Sequence, residues 1–178
     1  MGRDRQTDLV RQAQRGDMDA FEQLVTANTP AVYRLARAFA GDTGAEDLVQ
    51  EAFLAAWRAL PTLRDPDRFG PWLYRIALNR CRQSVRGGGR VREIPMGPTF
   101  VEPAAGGDFR SAVEARAVVG PAFARLGDDA RALIALHYAA GRSISECAEV
   151  LGIPEGTVKS RLNAALASLR TEIRRIEP

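Results

Sequence analysis

The residues with the clearest chemical potential are arginines concentrated in one segment of the chain. Residues 64–92 carry eight arginines against two aspartates, whereas the whole 178-residue chain has a formal net charge of only +3. Guanidinium groups suit a polyanion, because they pair with phosphate oxygens and can donate two hydrogen bonds to a guanine edge. A solvated helix face without a partner is the alternative. The concentration of charge favours nucleic acid.

A second group of polar residues lies between Ser143 and Arg170. Ser143 and Glu146 have the spacing of a capping box at the start of a helix. Gly152 can end that helix, and Pro154 can open the next one. Off the apolar stripe of this next helix, near its start, lie Thr157, Lys159, Ser160, Arg161 and Asn163. The pattern predicts a helix-turn-helix whose second helix enters a major groove. A helical hairpin with a solvated basic face is the alternative.

The elements that must position these residues read as helices throughout. No stretch of the first 86 residues alternates with period two, which predicts an all-α arrangement. Thr7 and Asp17 are candidate caps of the first two helices. Thr29 followed by Pro30 predicts the start of a third helix, which ends before Gly41. Further helices are predicted over 44–60, 71–86, 111–125 and 128–140, with a loop at 63–71.

Residues 87–110 interrupt the helical pattern. Six glycines and three prolines in 24 positions disfavour a regular element and indicate a linker. The predicted fold class is therefore all-α, with two small helical domains joined by a Gly/Pro-rich linker. The predicted boundaries are 1–86 for the first domain, 87–110 for the linker and 111–178 for the second domain, which ends in the helix-turn-helix.

Three stretches together resemble a known family. Two of them, GAEDLVQEAFLAAWRAL (44–60) and FGPWLYRIALNRCRQSVR (69–86), together resemble the second conserved region of bacterial sigma factors. The third, GIPEGTVKSRLNAALASLR (152–170), resembles the fourth conserved region of the same proteins. Their order, their spacing and the linker resemble the extracytoplasmic function sigma factors. The resemblance implies a protein that binds core RNA polymerase, directs it to specific promoters and helps melt the duplex. It also implies control by an anti-sigma factor.

The resemblance further implies which residues bind core polymerase and which bind promoter DNA. Those implied for binding core polymerase share one face of helix 44–60: Asp47, Gln50, Glu51 and Leu54. Those implied for the downstream promoter element and for melting are Arg64, Asp65, Asp67, Arg68, Phe69, Trp72, Arg75, Asn79, Arg80 and Arg82. Those implied for the upstream element are Arg142, Ser143, Thr157, Lys159, Ser160 and Arg161.

Within the downstream set, two kinds of side chain have different tasks. Arg64, Asp65 and Asp67 are implied to form the pocket for a flipped base. Unstacking a base costs a few kcal/mol, which aromatic stacking can offset at about 1–3 kcal/mol per base. Phe69 and Trp72, together with Tyr74, supply rings for such stacking. For Phe69 and Trp72 taken individually, packing in the core is favoured over stacking, so the arginines are the firmer DNA contacts.

Two other functional classes are weighed against this interpretation. A stand-alone regulator that binds DNA as a dimer would explain the helix-turn-helix but would leave residues 44–86 without a purpose. An enzyme is disfavoured, because no phosphate-binding glycine loop, nucleophile elbow or zinc-ligand spacing occurs. Asp65 and Asp67 lack a third metal ligand at useful spacing, and His137 is interpreted as structural. We therefore expect no cofactor and no metal.

The compartment is predicted from what the chain contains. Cys81 and Cys147 are far apart and fit a reducing compartment with unpaired thiols. No apolar run approaches the length of a transmembrane helix, and the first residues lack an apolar signal core. These features predict a cytoplasmic protein with no membrane insertion of its own.

The linker limits how the free chain can bind a promoter. A coil of 24 residues has an end-to-end dimension of about 27 Å, whereas two sites two DNA turns apart are separated by about 70 Å. We therefore expect weak promoter binding by the free protein, because the linker must be held nearly extended, as polymerase can do. A mobility-shift titration checks this, and nanomolar, sequence-specific binding would contradict it.

Overall fold

The computed structural model of the chain describes residues 2–86 and 119–176. Every regular element within these ranges is helical, as predicted. The helices are α1 (Arg3–Gln14), α2 (Met18–Ala59), α3 (Phe69–Arg86), α4 (119–124), α5 (Asp128–Ile134), α6 (Ile144–Leu151) and α7 (Glu155–Ile176). The predicted linker 87–110 and the first part of the predicted helix 111–125 lie outside the described residues. Within the described ranges, no helix is both long and apolar enough to cross a membrane.

The two predicted N-terminal caps have different outcomes. Asp17 caps α2, because its side chain accepts a hydrogen bond from the backbone N–H of Ala20 at 3.0 Å. Thr7 does not cap α1, which begins four residues earlier at Arg3 and encloses Thr7 as a buried residue. The prediction for Thr7 was wrong because the apolar residues that marked the helix, from Leu9 onward, begin only in its second turn.

Helix α2 passes through Pro30 without a break, so the predicted start at Thr29 is wrong. Thr29 donates its hydroxyl to the carbonyl of Val25 at 2.8 Å, as a residue inside a helix does. Val32 and Leu35 are buried on the far side of the proline. Their burial, at about 1.5–3 kcal/mol per side chain, offsets the cost of about 3 kcal/mol for a proline within a helix.

The chain of α2 reverses at Gly41, where φ is 69° and ψ is −172°. A straight helix would separate Phe21 from Trp57 by about 54 Å. Their ring centroids are only 4.8 Å apart, so residues 18–40 and 42–59 form an antiparallel hairpin. The reversal confirms the predicted helix end at this glycine, because only a residue without a Cβ adopts this conformation readily.

The N-terminal unit is built around this hairpin. Helices α1 and α3 pack on it, and short 3₁₀ turns at Leu60–Thr62 and Pro66–Arg68 connect α2 to α3. Among the most completely buried side chains of its core are Leu24, Leu35, Leu60, Phe69, Leu73, Tyr74 and Leu78. This core fixes the loop and α3, which carry most of the predicted downstream contacts.

The C-terminal unit ends in the predicted helix-turn-helix. Ser143 Oγ accepts from the N–H of Glu146 at 3.1 Å, and a carboxylate oxygen of Glu146 accepts from the N–H of Ser143 at 2.8 Å. This capping box begins α6, and Gly152, with φ of 67°, ends it. Helix α7 follows one residue after Pro154, whose carbonyl accepts from the N–H of Val158. The motif is therefore confirmed.

The conformation of Gly41 gives the first structural prediction. We expect Gly41→Ala to lower the free energy of unfolding by about 1–3 kcal/mol, because a Cβ is strained at this φ and ψ. Gly70→Ala in α3 is the matched control, since an added Cβ there meets nothing within 4 Å. The control is expected to be neutral or to stabilise by up to about 1 kcal/mol. Urea unfolding of both variants checks this, and equal losses would contradict it.

Candidate nucleic-acid interface

Helix α3 presents its polar residues away from the core. Leu73, Ala77 and Leu78 face inward, and this leaves Arg75 and Asn79 exposed. Two further members of the predicted downstream set, Arg80 and Arg82, are half-buried. Arg80 donates to the side-chain carbonyl of Gln83 at 3.2 Å, a bond at the surface that DNA can replace. The helix therefore offers both charge and a base-reading amide to a polyanion.

The aromatic members of the downstream set are less accessible than predicted. Phe69 is 0% exposed and Tyr74 only 2%, so neither ring can stack on a base in this conformation. The prediction for Phe69 is corrected: α3 begins at this residue, two positions earlier than predicted, and this start turns the ring into the core. Trp72 is half-buried, with its ring centroid 5.8 Å from that of Phe69. It is the one predicted stacking residue that keeps some exposure.

The loop before α3 has a defined local structure. Asp65 Oδ1 accepts from the N–H of Asp67 at 3.1 Å, and the carbonyl of Asp65 accepts from the N–H of Arg68 at 3.0 Å. The carboxylate of Asp67 accepts from the hydroxyl of Thr7 at 2.5 Å. Arg64 is exposed beside this turn, as are Asp65 and Asp67. Across the described residues, no three or more His, Cys, Asp or Glu side chains are grouped as metal ligands would be.

The start of α7 presents the predicted upstream contacts to solvent. Lys159, Ser160 and Arg161 are exposed and Thr157 is half-buried, because Val158 and the apolar residues one and two turns later face the core. The hydroxyl of Ser160 donates to the carbonyl of Thr157 at 3.0 Å. The helix therefore brings three exposed side chains together within its first two turns, as a major-groove reader requires.

Arg142 and Ser143, the other two upstream residues, are occupied within the protein. Arg142 Nη1 lies 2.9 Å from Glu146 Oε1, and its Nε donates to the carbonyl of Ala140 at 3.1 Å. Burial raises the pKa of Glu146, but its hydrogen bonds from Ser143 and the charge of Arg142 outweigh that effect, so its pKa lies below the ordinary value. The carboxylate therefore stays ionised and holds both residues.

The sequence predicts only a general structural role for His137. Its Nδ1 lies 2.7 Å from the carbonyl oxygen of Arg142, and the ring packs edge-on against Tyr138 with centroids 4.8 Å apart. This contact ties the turn before α6 to the preceding helix. A lone histidine five residues before the turn gave no sequence signal for this bond, because the contact depends on how the chain bends at Gly141, where φ is 67°.

The two helical units pack on each other, α3 against α6 and α2 against Ala135–Ala139, and basic residues make several of the polar contacts between them. Arg82 Nη2 lies 2.8 Å from Asp129 Oδ1, and Arg86 donates to Asp128 at 3.2 Å. Three further contacts between the units are Arg68 with Glu149 at 3.8 Å, Arg142 over the ring of Tyr74 at 4.8 Å and Arg34 Nε with the carbonyl of Ala139 at 2.8 Å. Predicted DNA contacts from both units therefore lie within one interface.

The ion pairs in this interface are weak. Each pair joins a largely exposed side chain to a half-buried one, Asp129 at 79% to Arg82 at 23% and Arg86 at 71% to Asp128 at 37%. Pairs that remain open to solvent contribute about 0.2–1 kcal/mol each. Salt screens them further. DNA phosphates can therefore compete for the same guanidinium groups at little cost, provided that the two units separate.

The acidic face of α2 stands outside this interface. Asp47, Gln50, Glu51 and Leu54 are all exposed, and the leucine is 48% exposed. A groove of about 540 Å³ runs beside Gln50 and Leu54, between the two halves of the hairpin. Its other lining residues are mainly apolar: Met18, Phe21, Val25, Thr29, Tyr33, Glu46, Val49, Phe53 and Trp57. An exposed leucine at the edge of an apolar groove is typical of a protein contact.

The two cysteines are buried and unpaired. Burial raises the pKa of Cys81 to about 12 and that of Cys147 to about 11. Both thiols therefore stay protonated near neutral pH, where a reactive cysteine requires the thiolate. This environment favours a packing role for both.

Comparison with known proteins explains why these surfaces occur together. The family model described as Sigma-70 region 2 matches residues 24–91, and the model described as Sigma-70, region 4 matches residues 122–169. The ECF RNA polymerase sigma-E factor of Escherichia coli K12 is 30% identical over 176 residues, which cover 93% of this chain and 92% of that protein. The chain belongs to the ECF RNA polymerase sigma factors. This sigma factor therefore acts in transcription initiation with core RNA polymerase at promoters.

Two solved structures are similar over most of the chain. CnrH, in complex with the cytosolic domain of CnrY, is 32% identical and covers 96% of this chain and 98% of its own, with a TM-score of 0.71. RpoE of Bartonella quintana, in complex with the anti-sigma factor NepR, is 26% identical and covers 89% of this chain and 98% of its own, with a TM-score of 0.61. Family membership also excludes the alternative of a regulator that acts without polymerase.

The contact between the units predicts a gain of DNA binding when it is opened. Asp129→Arg places like charges beside Arg82, so we expect the affinity of the free sigma factor for duplex DNA to rise about two- to fivefold at low salt. Asp4→Arg makes the same charge change at an exposed site on α1 and is the control. Fluorescence anisotropy with a promoter-length duplex checks this. Equal gains in the two variants would show that the contact does not restrict DNA binding.

Proposed function

We propose that this sigma factor divides initiation among three surfaces. The Asp47–Leu54 face of α2 binds core polymerase, the loop 63–68 with α3 binds and melts the downstream element, and the first turns of α7 read the upstream element. The observation that carries the proposal is the exposed polymerase face. Three polar residues surround a half-exposed leucine there, at the edge of an apolar groove. A single exposed leucine is common on protein surfaces, but a leucine that extends an apolar groove is typical of a protein contact site.

The chemistry of this face defines its partner. Carboxylates of Asp47 and Glu51 suit a basic rim, and the neighbouring groove accepts aliphatic side chains. A helical segment of the polymerase with a basic edge combines both features. The apolar contacts supply affinity, while the charges orient the encounter.

The downstream element meets exposed groups of different kinds. Arg64 and Arg75 offer charge to phosphates, and Asn79 can pair with an adenine edge. Trp72 is the ring that remains to stack on an unpaired base. Since only this ring is accessible, the arginines carry most of the energy that offsets base unstacking.

The upstream element meets α7. Arg161 can donate two hydrogen bonds to a guanine, and Lys159, Ser160 and Thr157 lie beside it. Separation of the two units uncovers Arg142 from the ring of Tyr74, and Arg142 and Ser143 bind phosphates when these replace the carboxylate of Glu146. In this proposal the domains are residues 1–86 and 111–178, and polymerase holds the linker 87–110 extended between them.

Control and location complete the proposal. CnrH and RpoE are each seen in complex with another protein, CnrY and the anti-sigma factor NepR. On that basis we infer that an anti-sigma factor holds this chain inactive by covering the Asp47–Leu54 face or the surface of α7. The sigma factor itself acts in the cytoplasm, and the polymerase that it binds performs the catalysis. A pull-down that yields only polymerase subunits would count against such a partner.

The decisive experiment is transcription in vitro with core polymerase on a library of genomic fragments. Mapped start sites are expected to lie downstream of two shared sequence elements whose spacing is constant. If adding the sigma factor to core polymerase gives no new start sites, the proposal fails.

Two substitutions test the division of labour. We expect Arg161→Ala to reduce promoter-specific transcription about five- to 150-fold, the equivalent of one bidentate base contact at about 1–3 kcal/mol, while core binding stays unchanged. Arg170→Ala, at an exposed position later in α7, is the control.

Asp47→Arg should first weaken core binding, and Asp4→Arg is its control. Binding to core polymerase and run-off transcription are measured for each variant, and equal damage to core binding by Arg161→Ala and Asp47→Arg would overturn the division.

A further inference from the structure

The loop between α2 and α3 is held from outside by α1. Gln14 donates through Nε2 to two carbonyl groups at the start of the loop, Leu60 at 3.1 Å and Leu63 at 2.7 Å. The side chains of Leu60 and Leu63 are buried. The first part of the loop is therefore fixed both by its apolar anchors and by an amide from another helix.

A second side chain of α1 holds the other end of the loop. Thr7, which is 7% exposed, donates its hydroxyl to Asp67 Oδ1 at 2.5 Å. A hydroxyl bonded to a carboxylate forms a short, charge-assisted hydrogen bond. Thr7 and Gln14 are seven residues apart, so they lie on one face of α1 with about 10 Å between them along its axis.

These polar contacts are additional to the docking of α1 itself. Leu9, Val10 and Ala13 pack in the hydrophobic core and account for the attachment of the helix. The bonds made by Thr7 and Gln14 therefore have a separate consequence, which is to fix the loop relative to α1. Between the two fixed ends, Arg64 and Asp65 are exposed.

We propose that Thr7 and Gln14 are positioning residues for promoter recognition. They hold residues 60–68 in the shape in which Arg64 and Asp65 meet a base of the downstream element. A recognition site must be kept within about 0.5 Å of its productive geometry, and two short 3₁₀ turns do not by themselves fix a loop relative to the neighbouring helices. This inference rests on the proposed role of the loop in DNA recognition. Thr7 is buried and therefore acts through Asp67, and Gln14 acts through the carbonyl groups of Leu60 and Leu63.

The first test measures the loop without DNA. Thr7→Val keeps the shape of the side chain and removes the donor, whereas Thr7→Ser keeps the hydroxyl. In the full-length free protein, amide hydrogen exchange at Arg68, whose N–H donates to Asp65, is expected to become about tenfold faster in Thr7→Val and to be unchanged in Thr7→Ser. Unchanged exchange in Thr7→Val would overturn the proposal.

The second test measures recognition. Transcription with core polymerase is run on two promoter libraries, one randomised in the downstream element and one in the upstream element. Thr7→Val and Gln14→Leu are expected to lower the preference for the best downstream base about tenfold and to leave the upstream preference intact. Thr7→Ser, which keeps the hydroxyl, should retain the wild-type preference for the best downstream base. Leu24→Ala removes a fully buried side chain of α2 from the same core, and it should reduce transcription from all promoters equally.

A third variant, Arg64→Ala, alters the loop tip directly. It distinguishes the role of the loop in DNA recognition from the positioning role of Thr7 and Gln14. If Arg64→Ala leaves the downstream preference unchanged, the role of the loop in DNA recognition and the positioning proposal both fail. If Arg64→Ala shifts the preference and Thr7→Val does not, only the positioning proposal is overturned. A loss of preference in Thr7→Val equal to that in Leu24→Ala would also overturn it, because it would reflect stability alone.

Discussion

The reversal of α2 at Gly41 is the constraint on which the N-terminal unit depends. Its φ of 69° and ψ of −172° turn the chain back so that Phe21 packs on Trp57. That packing forms one side of the apolar groove, and the inner face of the same hairpin supports α1 and α3. The Asp47–Leu54 face, the loop and the basic helix therefore take their positions from one backbone conformation that side chains with a Cβ resist.

A second constraint is that several arginines of both units take part in the contact between them. Arg68, Arg82 and Arg142 each contact the other helical unit, so part of their hydrogen-bonding capacity is occupied in this arrangement. The ion pairs are exposed and individually weak, and this keeps the exchange of partners feasible. Separation of the two units would therefore expose these basic residues further.

Local sequence rules succeeded where the partner lies within one helical turn. Asp17 caps α2, and Ser143 forms a capping box, because the acceptor and donor are three residues apart. The same rules failed for Thr7, whose hydroxyl bonds to a residue 60 positions away, and for Thr29, because α2 continues through Pro30. For the ring of Phe69, residue type favoured the core, and its burial agrees with that, whereas the family resemblance implied a contact with DNA.

The sequence by itself determined the all-α class, the helix-turn-helix, the concentration of arginines and the resemblance to ECF sigma factors. Each of these depends on periodicity, caps or motif spacing, which short-range geometry dictates. The tertiary structure alone decided which arginines are paired, which rings are buried and that α1 holds the loop. Those features depend on contacts such as Thr7 with Asp67 and Arg34 with Ala139, which join residues 60 and 105 positions apart. Such pairs form only because apolar packing brings distant helices together, and no local pattern encodes them.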